Sequence, residues 1–479
     1  MVEGSYSQWF RVLLPICCIC FLYLCSFYLF LCATNSLIYS TICLLHANES
    51  FCAEIDQNKT LRASQETIQK ESSQWSLYGT LSFAIVACFI SPFYGSLSDM
   101  KNRKIPIVLT ISNGIITGLI ITIGSVYQGT KTCLLFYIFA NIINGFGGGS
   151  LLLISSCFGY ATDSCTDKGR HTQTIALIEA ALNLGVVLGY LLCTFVFELH
   201  TKIWHILLVH VLLLALALLI SLVFLRSQAI IDFSSMNLWT KIKRPFVDIR
   251  DLFVDLKHNQ LIISFIVLFL SLFFYELFRM GLSSTYYLYL HRMSFNDTQY
   301  AAYFTCEQIA TCLALIFLAL LRRNWQINDL YLCIVGLCLS LIGPMLFAFA
   351  YNNKGMIFGA IPSNMFGIYF PVCLRAVIAR LVPERDKGKA FSFVALIQNL
   401  DILLGTITCI EIYRSSISFF AGLVFIIGIV TKLIALILIL VQIFCISHTP
   451  QLSIIVPLDV VENPLLDVQL SSDDELLNP

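Results

Sequence analysis

The chain has 479 residues, of which 58% are hydrophobic and only 12% are charged, and its formal net charge is zero. A soluble domain carries about 25% charged residues, so this composition excludes an ordinary water-soluble protein. The balanced charge gives no electrostatic basis for binding nucleic acid. The sequence has no phosphate-binding loop, no pair of Cys-x-x-Cys motifs and no paired catalytic His or Asp motif. We therefore expect no cofactor, no metal and no enzymatic activity.

Apolar segments, each long enough to cross a bilayer, predict twelve membrane-spanning helices and an all-α membrane protein. The first, Val12–Leu45, is too long for the core of a signal peptide. The second and third are uncharged, at Ser72–Ser98 and Ile105–Thr130. The others lie at about 132–162, around Glu179, and at about 203–225, 260–290, up to 323, 330–351, 355–380, 390–413 and 415–446.

The basic residues are distributed unevenly between alternate loops. If both termini are cytoplasmic, 18 of the 29 Lys and Arg residues fall in cytoplasmic segments and 8 fall in outer loops, as the positive-inside rule requires. The sequons at Asn48, Asn58 and Asn296 all fall in loops that this rule places outside, where glycosylation is possible. The sequence thus predicts a multi-pass membrane glycoprotein surrounded by lipid, with both termini in the cytoplasm.

A short basic turn joins the second and third helices. Asp99 is placed there to accept from backbone N–H groups or to pair with a cation, and Arg103 and Lys104 are the local cations. The turn, which starts at Gly95, resembles the loop between helices 2 and 3 of the major facilitator superfamily, Gly-x-Leu-x-Asp-x-x-x-Arg-Lys/Arg. The resemblance implies a twelve-helix transporter in which this turn sets the balance between inward-facing and outward-facing states.

An internal repeat supports the same architecture. Asp167–Glu179 aligns with Asp386–Gln398 at a constant offset of 219, without a gap and with six identities in thirteen positions. Both copies join an even-numbered helix to an odd-numbered one, as expected for two parallel six-helix repeats. The predicted regions are a cytoplasmic N-terminus (1–11), an N-terminal half (12–225) with a glycosylatable outer loop (46–74), a central cytoplasmic loop (226–259), a C-terminal half (260–446) and an acidic cytoplasmic tail (447–479).

Four segments resemble the proton-coupled folate transporter family, solute carrier family 46. They are Cys157–Asp163, the Leu177–Glu179 context, Tyr287–Tyr289 and Pro371–Arg375. The resemblance places Glu179 at an acidic position of helix 5 and Arg375 at an arginine of helix 10. It places Asp163 at the terminal aspartate of helix 4, which we assign to conformational gating.

The sequence departs from that family at two points. The folate transporter has a histidine in helix 7 where this chain has Arg279, so the resemblance does not carry folate over. The family also tends to link its first outer loop to the loop between helices 7 and 8 by a disulfide. Cys52 is available in the first loop, but the second loop has no cysteine.

Charged residues within the helices identify the candidate site, because a charge at mid-bilayer costs about 2.5–3.5 kcal/mol and must face an interior cavity or pair. Glu276 and Arg279 are spaced i,i+3, so they either neutralise each other or take part in substrate binding or proton coupling. Glu179 and Arg375 have no opposite charge within one turn of their own helices. The planar guanidinium of Arg375 suits the carboxylate of an organic anion, and Glu179 is suited to carry a proton in a dry site. The remaining charges are Glu307, Asp401 and Lys432.

These features predict a secondary transporter of a small organic solute, an anion that is co-transported with protons, working by alternating access. The alternative is a non-transporting receptor or scaffold that kept the fold. The intact basic turn and the charges within the helices favour transport.

The C-terminal tail bears on location. Asp473, Leu476 and Leu477 resemble the acidic dileucine signals that adaptor proteins read, and a disordered tail can present such a signal. A solvated acidic tail with incidental leucines is the alternative. We expect residence in endosomes or lysosomes, with the plasma membrane as the other possibility.

Overall fold

A computed structural model describes residues 2–55, 59–100, 104–164, 171–199, 202–225, 261–325, 327–350, 353–382 and 387–448, with a few isolated residues between 247 and 256. Within these ranges the helices are α1 (Val2–His46), α2 (Glu49–Glu54), α3 (Arg62–Met100), α4 (Lys104–Ser125), α5 (Lys131–Phe146), α6 (Gly149–Ser164), α7 (His171–Glu198), α8 (Ile203–Phe224), α9 (Ile262–Arg292), α10 (Asp297–Trp325), α11 (Asp329–Ser340), α12 (Ile342–Ala348), α13 (Lys354–Gly359), α14 (Ile361–Asn364), α15 (Tyr369–Leu381), α16 (Lys387–Ser416) and α17 (Leu423–His448). Short 3-10 turns lie at Lys59–Leu61 and Met365–Ile368.

Twelve of the described segments are long and apolar enough to cross a membrane. The fourth segment combines α5 with α6, the ninth combines α11 with α12, and the tenth runs from α13 into α15. The predicted number and order of membrane helices are therefore confirmed.

Each half is held together by one helix that packs closely on its first helix. In the N-terminal half, α7 packs on α1, and a Cβ added at Gly189 would lie 2.7 Å from the backbone oxygen of Cys25. In the C-terminal half, α16 packs on α9, with Gly281 and Gly405 in backbone contact. Small residues allow this approach because they leave room for the neighbouring backbone.

The halves meet mainly where α7 packs on α10 and where α3 packs on α16, and α3 also contacts α9. The residues of α7 and α10 that face each other therefore lie between the halves. Any charge on those faces is removed from lipid.

The glycine-rich segment after α5 bends its helix, as its composition predicts. Gly148 and Gly149 have φ values of +72° and +68°, which residues with a Cβ rarely adopt. The break separates α5 from α6, while the hydroxyl of Thr110 donates to the backbone oxygen of Gly147 at 2.8 Å.

Helix α3 begins at Arg62, within the predicted outer loop 46–74. The loop prediction rested on polar residues, but two of these are buried against the C-terminal half. The side-chain amide of Gln65 donates to the backbone oxygen of His291 at 3.3 Å, and that of Gln69 donates to the oxygen of Leu288 at 3.1 Å. Buried polar groups need such partners, so the polar pattern here marks a contact between halves.

The first outer loop contains a disulfide that the sequence did not reveal. Cys52 is bonded to Cys43, nine residues earlier at the end of α1. Cys43 lies in an apolar run, where a cysteine usually behaves as a small hydrophobic residue. The bond ties α2 to α1.

Polar contacts close the bundle on the side that carries the loops 47–61 and 293–296, which the charge pattern predicts to be the outer side. Ser36 of α1 donates to Asp297 of α10 at 2.6 Å. Arg292 of α9 pairs with Glu66 of α3 at 2.9 Å. We call these two contacts, with the Gln69–Tyr413 hydrogen bond of 3.1 Å, the outer lock, because each joins one half to the other.

Candidate functional site

Glu179 and Arg375 meet between the halves. A guanidinium nitrogen of Arg375, on α15, lies 3.8 Å from a carboxylate oxygen of Glu179, on α7, and the two side chains are 33% and 37% exposed. This separation exceeds a direct hydrogen bond. The two side chains approach each other from opposite halves, and each remains partly exposed. We call these residues the inter-half pair.

The guanidinium of Arg375 is suited to a second anionic partner. It has five N–H donors in a planar fork, and its pairing with Glu179 is loose. An anion that enters the space between the halves can approach this fork without breaking a tight ion pair. The sequence placed these two residues in opposite halves, and the structure brings them together.

Glu276 and Arg279 pair with each other within α9. Nε of Arg279 lies 2.5 Å from a carboxylate oxygen of Glu276, which is fully buried, while the Arg279 side chain is 47% exposed. Arg279 also interacts electrostatically with Tyr28 of α1, so it faces the other half. The predicted neutralisation occurs, and it leaves the guanidinium accessible from the space between the halves.

A second polar group lies beside this pair. A carboxylate oxygen of Glu307, on α10, accepts from the side-chain amide of Asn364 at 3.0 Å. Lys432, on α17, donates to the backbone oxygen of Ser340 at 2.8 Å and interacts electrostatically with both Glu307 and Arg279. Lys432 is thus part of a group of charges, rather than a lysine that reaches the membrane surface.

Asp401, on α16, completes the group. It is fully buried, and neither of its carboxylate oxygens has a hydrogen-bond partner among the residues that the structure describes. Glu276 and Arg279 act on it electrostatically. The contact between Gly281 and Gly405 explains this proximity, because Gly405 lies one turn from Asp401 and holds α16 against α9. We call Glu276, Arg279, Glu307, Asp401 and Lys432 the central charge cluster.

Aromatic rings from both halves surround the cluster. Tyr28 and Tyr190 come from the N-terminal half, with ring centroids 4.9 Å apart. Tyr190 stacks on Phe304 of α10 at 5.2 Å, and Tyr275 packs on Phe370 at 4.6 Å. The site therefore combines charges with broad apolar faces, which suits an amphipathic organic solute.

The predicted gating residues are only partly described. Lys104 opens α4 and donates to the backbone oxygens of Leu222 and Leu225 at 2.9 and 2.8 Å, which places a cation at the C-terminal end of α8, where it is favourable. Gly95 and Asp99 lie in the last turns of α3, and Asp163 lies at the end of α6. The surroundings of Gly95, the side chains of Asp99 and Asp163, and the whole of Arg103 lie outside the described residues.

The sequons and the sorting signal also remain predictions. Asn48 and Asn296 are exposed, while Asn58 lies outside the described residues. The side chain of Asn296 accepts from the backbone N–H of Gln299 at 2.8 Å, at the start of α10. Asp473, Leu476 and Leu477 lie outside the described residues as well.

The sequence analysis assigns no role in the site to two residues that the structure places there. Asn364 is uncharged, so a search for charges in helices does not select it. Asp401 was one of seven such charges, and its proximity to Glu276 depends on the glycine contact between α9 and α16. An aspartate one turn before a glycine, in the second copy of a repeat, is the signal that would have drawn attention to it.

Comparison with known proteins assigns the fold to a family. The family model of the Major Facilitator Superfamily matches residues 24–406. The chain belongs to the major facilitator superfamily. Solved structures agree on the fold: the human organic anion transporter TETRAN superposes with a TM-score of 0.66 at 17% identity, covering 90% of this chain and 99% of that one. The nucleoside transporter NupG gives a TM-score of 0.62 at 15% identity, over 90% and 99% of the two chains.

Curated relatives confirm the resemblance to solute carrier family 46. The human lysosomal proton-coupled steroid conjugate and bile acid symporter is 23% identical over 404 residues, which are 80% of this chain and 83% of that protein. The rat proton-coupled folate transporter is 23% identical over 375 residues, or 75% and 77% of the two chains. This major facilitator protein is therefore a multi-pass membrane transporter of a small-molecule solute, rather than an enzyme.

Proposed function

We propose that this transporter carries a small organic anion together with protons. The observation that carries the proposal is the inter-half pair, in which the half-exposed guanidinium of Arg375 faces a carboxylate of the other half at 3.8 Å. An anion that binds Arg375 replaces Glu179 as its partner. Glu179, left without a cation in a membrane interior, then favours its protonated form. Anion binding and proton binding are linked in this way.

The apolar walls indicate the kind of anion. Tyrosine and phenylalanine rings from both halves pack on one another beside the central charge cluster. An amphipathic anion with a rigid apolar body fits such walls better than a small hydrophilic one. Relatives named as symporters of steroid conjugates and bile acids support this substrate class for the present chain.

Uptake by reconstituted protein tests the proposal. Purified protein in liposomes is given a radiolabelled bile acid, or a steroid sulfate, with and without an inward proton gradient. We expect the gradient to stimulate uptake, and we expect Arg375→Gln to lower it by at least about tenfold, since the anion loses its charged partner. Lys202→Gln, which removes an exposed cation at the start of α8, is the matched control. Equal uptake by the Arg375 and Lys202 variants would contradict the proposal.

We also propose that the protein resides in endosomes or lysosomes and is sorted there by adaptor proteins that read its tail. The support is the acidic dileucine pattern at Asp473, Leu476 and Leu477 and the lysosomal relatives. A tagged variant with Leu465, Leu466, Leu476 and Leu477 all changed to Ala should move to the plasma membrane. Unchanged overlap with lysosomal markers would show that the tail does not sort the protein.

A further inference from the structure

The central charge cluster has more acids than bases. Its acidic members are Glu276, Glu307 and Asp401, and its basic members are Arg279 and Lys432. If all five were ionised, the cluster would carry one uncompensated negative charge within the membrane, where such a charge is expensive. One bound proton makes the cluster neutral.

Two of the three acids already have partners. Glu276 is held by Arg279 at 2.5 Å, and Glu307 accepts from Asn364 at 3.0 Å and interacts electrostatically with Lys432. Asp401 is fully buried, and within the described part of the chain both of its carboxylate oxygens lack a hydrogen-bond partner. A protonated carboxyl is the form of Asp401 that tolerates such an environment.

The repeat shows that the fold itself does not need an acid at this place. At the offset of 219, the residue equivalent to Asp401 is Leu182 of α7, which is buried in the N-terminal half. The same helix position is thus filled by an apolar residue in one half and by a carboxyl in the other. A buried ionisable residue that the architecture does not require indicates a function.

We propose that Asp401 is the proton-binding residue of the central charge cluster, sharing one proton with Glu276 beside Arg279. This proposal deepens the function proposed above and rests on it. The charged groups that act on Asp401 are Glu276 and Arg279, both on α9, and Lys432 of α17 acts on Arg279.

The step is a simple proton transfer. A proton binds the carboxylate of Asp401 and gives the neutral acid while Arg279 stays with Glu276. When the accessible guanidinium of Arg279 turns towards another anion, Glu276 loses its cation and becomes the second place for the same proton. Release of the proton restores the negative charge, which draws Arg279 back. The protonation of the cluster and the position of Arg279 are therefore coupled.

Infrared spectroscopy of the reconstituted protein tests this proposal without a substrate. We expect the parent protein at neutral pH to show the carbonyl stretching band of a protonated carboxylic acid. Asp401→Asn should reduce this band, and Glu411→Gln should leave it unchanged, since Glu411 lies on the same helix but is 52% exposed and pairs with Arg414. A band of equal size in Asp401→Asn and the parent would overturn the proposal.

A second measurement separates this proposal from the proposed function. The ratio of bile acid uptake with and without an inward proton gradient should be at least about fivefold in the parent and clearly lower in Asp401→Asn and in Asp401→Leu. The leucine variant copies the residue of the N-terminal half and protects against failure to fold. Full stimulation in both variants would overturn the role of Asp401. If the parent shows the infrared band but takes up no bile acid, the proton site stands and the substrate class fails.

Discussion

In the N-terminal half, α7 carries Leu182 at the position where the equivalent helix of the C-terminal half, α16, carries Asp401. At the same offset of 219, Glu179 of α7 corresponds to Gln398 of α16. The two halves therefore share their packing, with a glycine contact to the first helix in each, but they differ in where charges stand. Of the seven charges within the helices, six lie in the C-terminal half.

The residues that the two repeats share therefore form the scaffold, and the residues that differ between the repeats form the site. The N-terminal half contributes one carboxylate, Glu179, and aromatic rings such as Tyr28 and Tyr190. The C-terminal half contributes Arg375 and the central charge cluster. We assign anion binding to the contact between the halves, where Glu179 takes up a proton as the anion binds Arg375, and we assign a second proton site to the C-terminal half.

The largest expected effect comes from moving the acid to the other half. Leu182→Asp places a carboxyl in a buried position without the counterpart of Arg279, so it should destabilise the protein by about 2.5–3.5 kcal/mol. Asp401→Leu should leave stability unchanged or raise it, because it removes a buried carboxyl without partners. Thermal unfolding of both variants in detergent measures the difference. Equal losses would mean that the two positions are not distinguished by their surroundings.

Glu179→Gln introduces into α7 the residue type that the other repeat has at the equivalent position, Gln398. The change leaves Arg375 without the carboxylate of the inter-half pair. An unpaired, partly buried charge costs up to about 1–3 kcal/mol, so the unfolding temperature should fall. Uptake in liposomes should fall by at least about tenfold, since no carboxylate remains at this position to take up a proton when the anion binds Arg375. Adding Arg375→Gln should restore the unfolding temperature but not the uptake. Recovery of uptake in the double variant would show that Glu179 and Arg375 serve only to neutralise each other's charge.

Arg375→Lys keeps the charge of the inter-half pair but loses its planar fork. We expect KM for the anion to rise by about tenfold, since Lys cannot make two parallel hydrogen bonds to one carboxylate. The value of kcat should change much less, because the cation is still present. Saturation kinetics at fixed pH gradient provide the test, and an unchanged KM would make the residue structural.

We expect the smallest effect from substitutions in the outer lock. Glu66 and Arg292 pair at 2.9 Å, with side-chain exposures of 21% and 6%. Glu66→Gln and Arg292→Gln, alone and together, form a double-mutant cycle with an expected coupling of about 1 kcal/mol. The measurement is thermal unfolding of the four proteins. A coupling free energy near zero would show that this pair does not help to hold the two halves together.

The sequence predicted the architecture well because its signals are strong over long segments. Uncharged runs such as Ile105–Thr130 admit few readings other than a membrane helix, and the Asp167–Glu179 repeat defined the halves. The start of α3 was placed too late, because the polar residues Gln65 and Gln69 bind across the halves and do not lie in a loop. Hydropathy cannot distinguish a polar loop from a polar contact.

For the site, the sequence selected Glu179 and Arg375 through the cost of a charge in a membrane, but it could not show that they meet. Their approach depends on how the two halves are placed against each other, which the sequence does not show. The pairing of Cys43 with Cys52 was hidden for a similar reason, since Cys43 looks like any other cysteine in an apolar run. The i,i+3 spacing along one helix predicts the pair of Glu276 with Arg279. A pair between two helices depends on how those helices pack, which the spacing does not show.

The number of protons moved with each anion tests the division between the halves most directly. Liposomes with a pH-sensitive dye inside report protons, and a radiolabelled bile acid reports the anion, in the same preparation. We expect protons to enter with the anion in the parent protein and in Glu411→Gln, and we expect fewer protons to enter with each anion in Asp401→Leu. Proton entry of equal size in the parent and in Asp401→Leu would contradict this expectation.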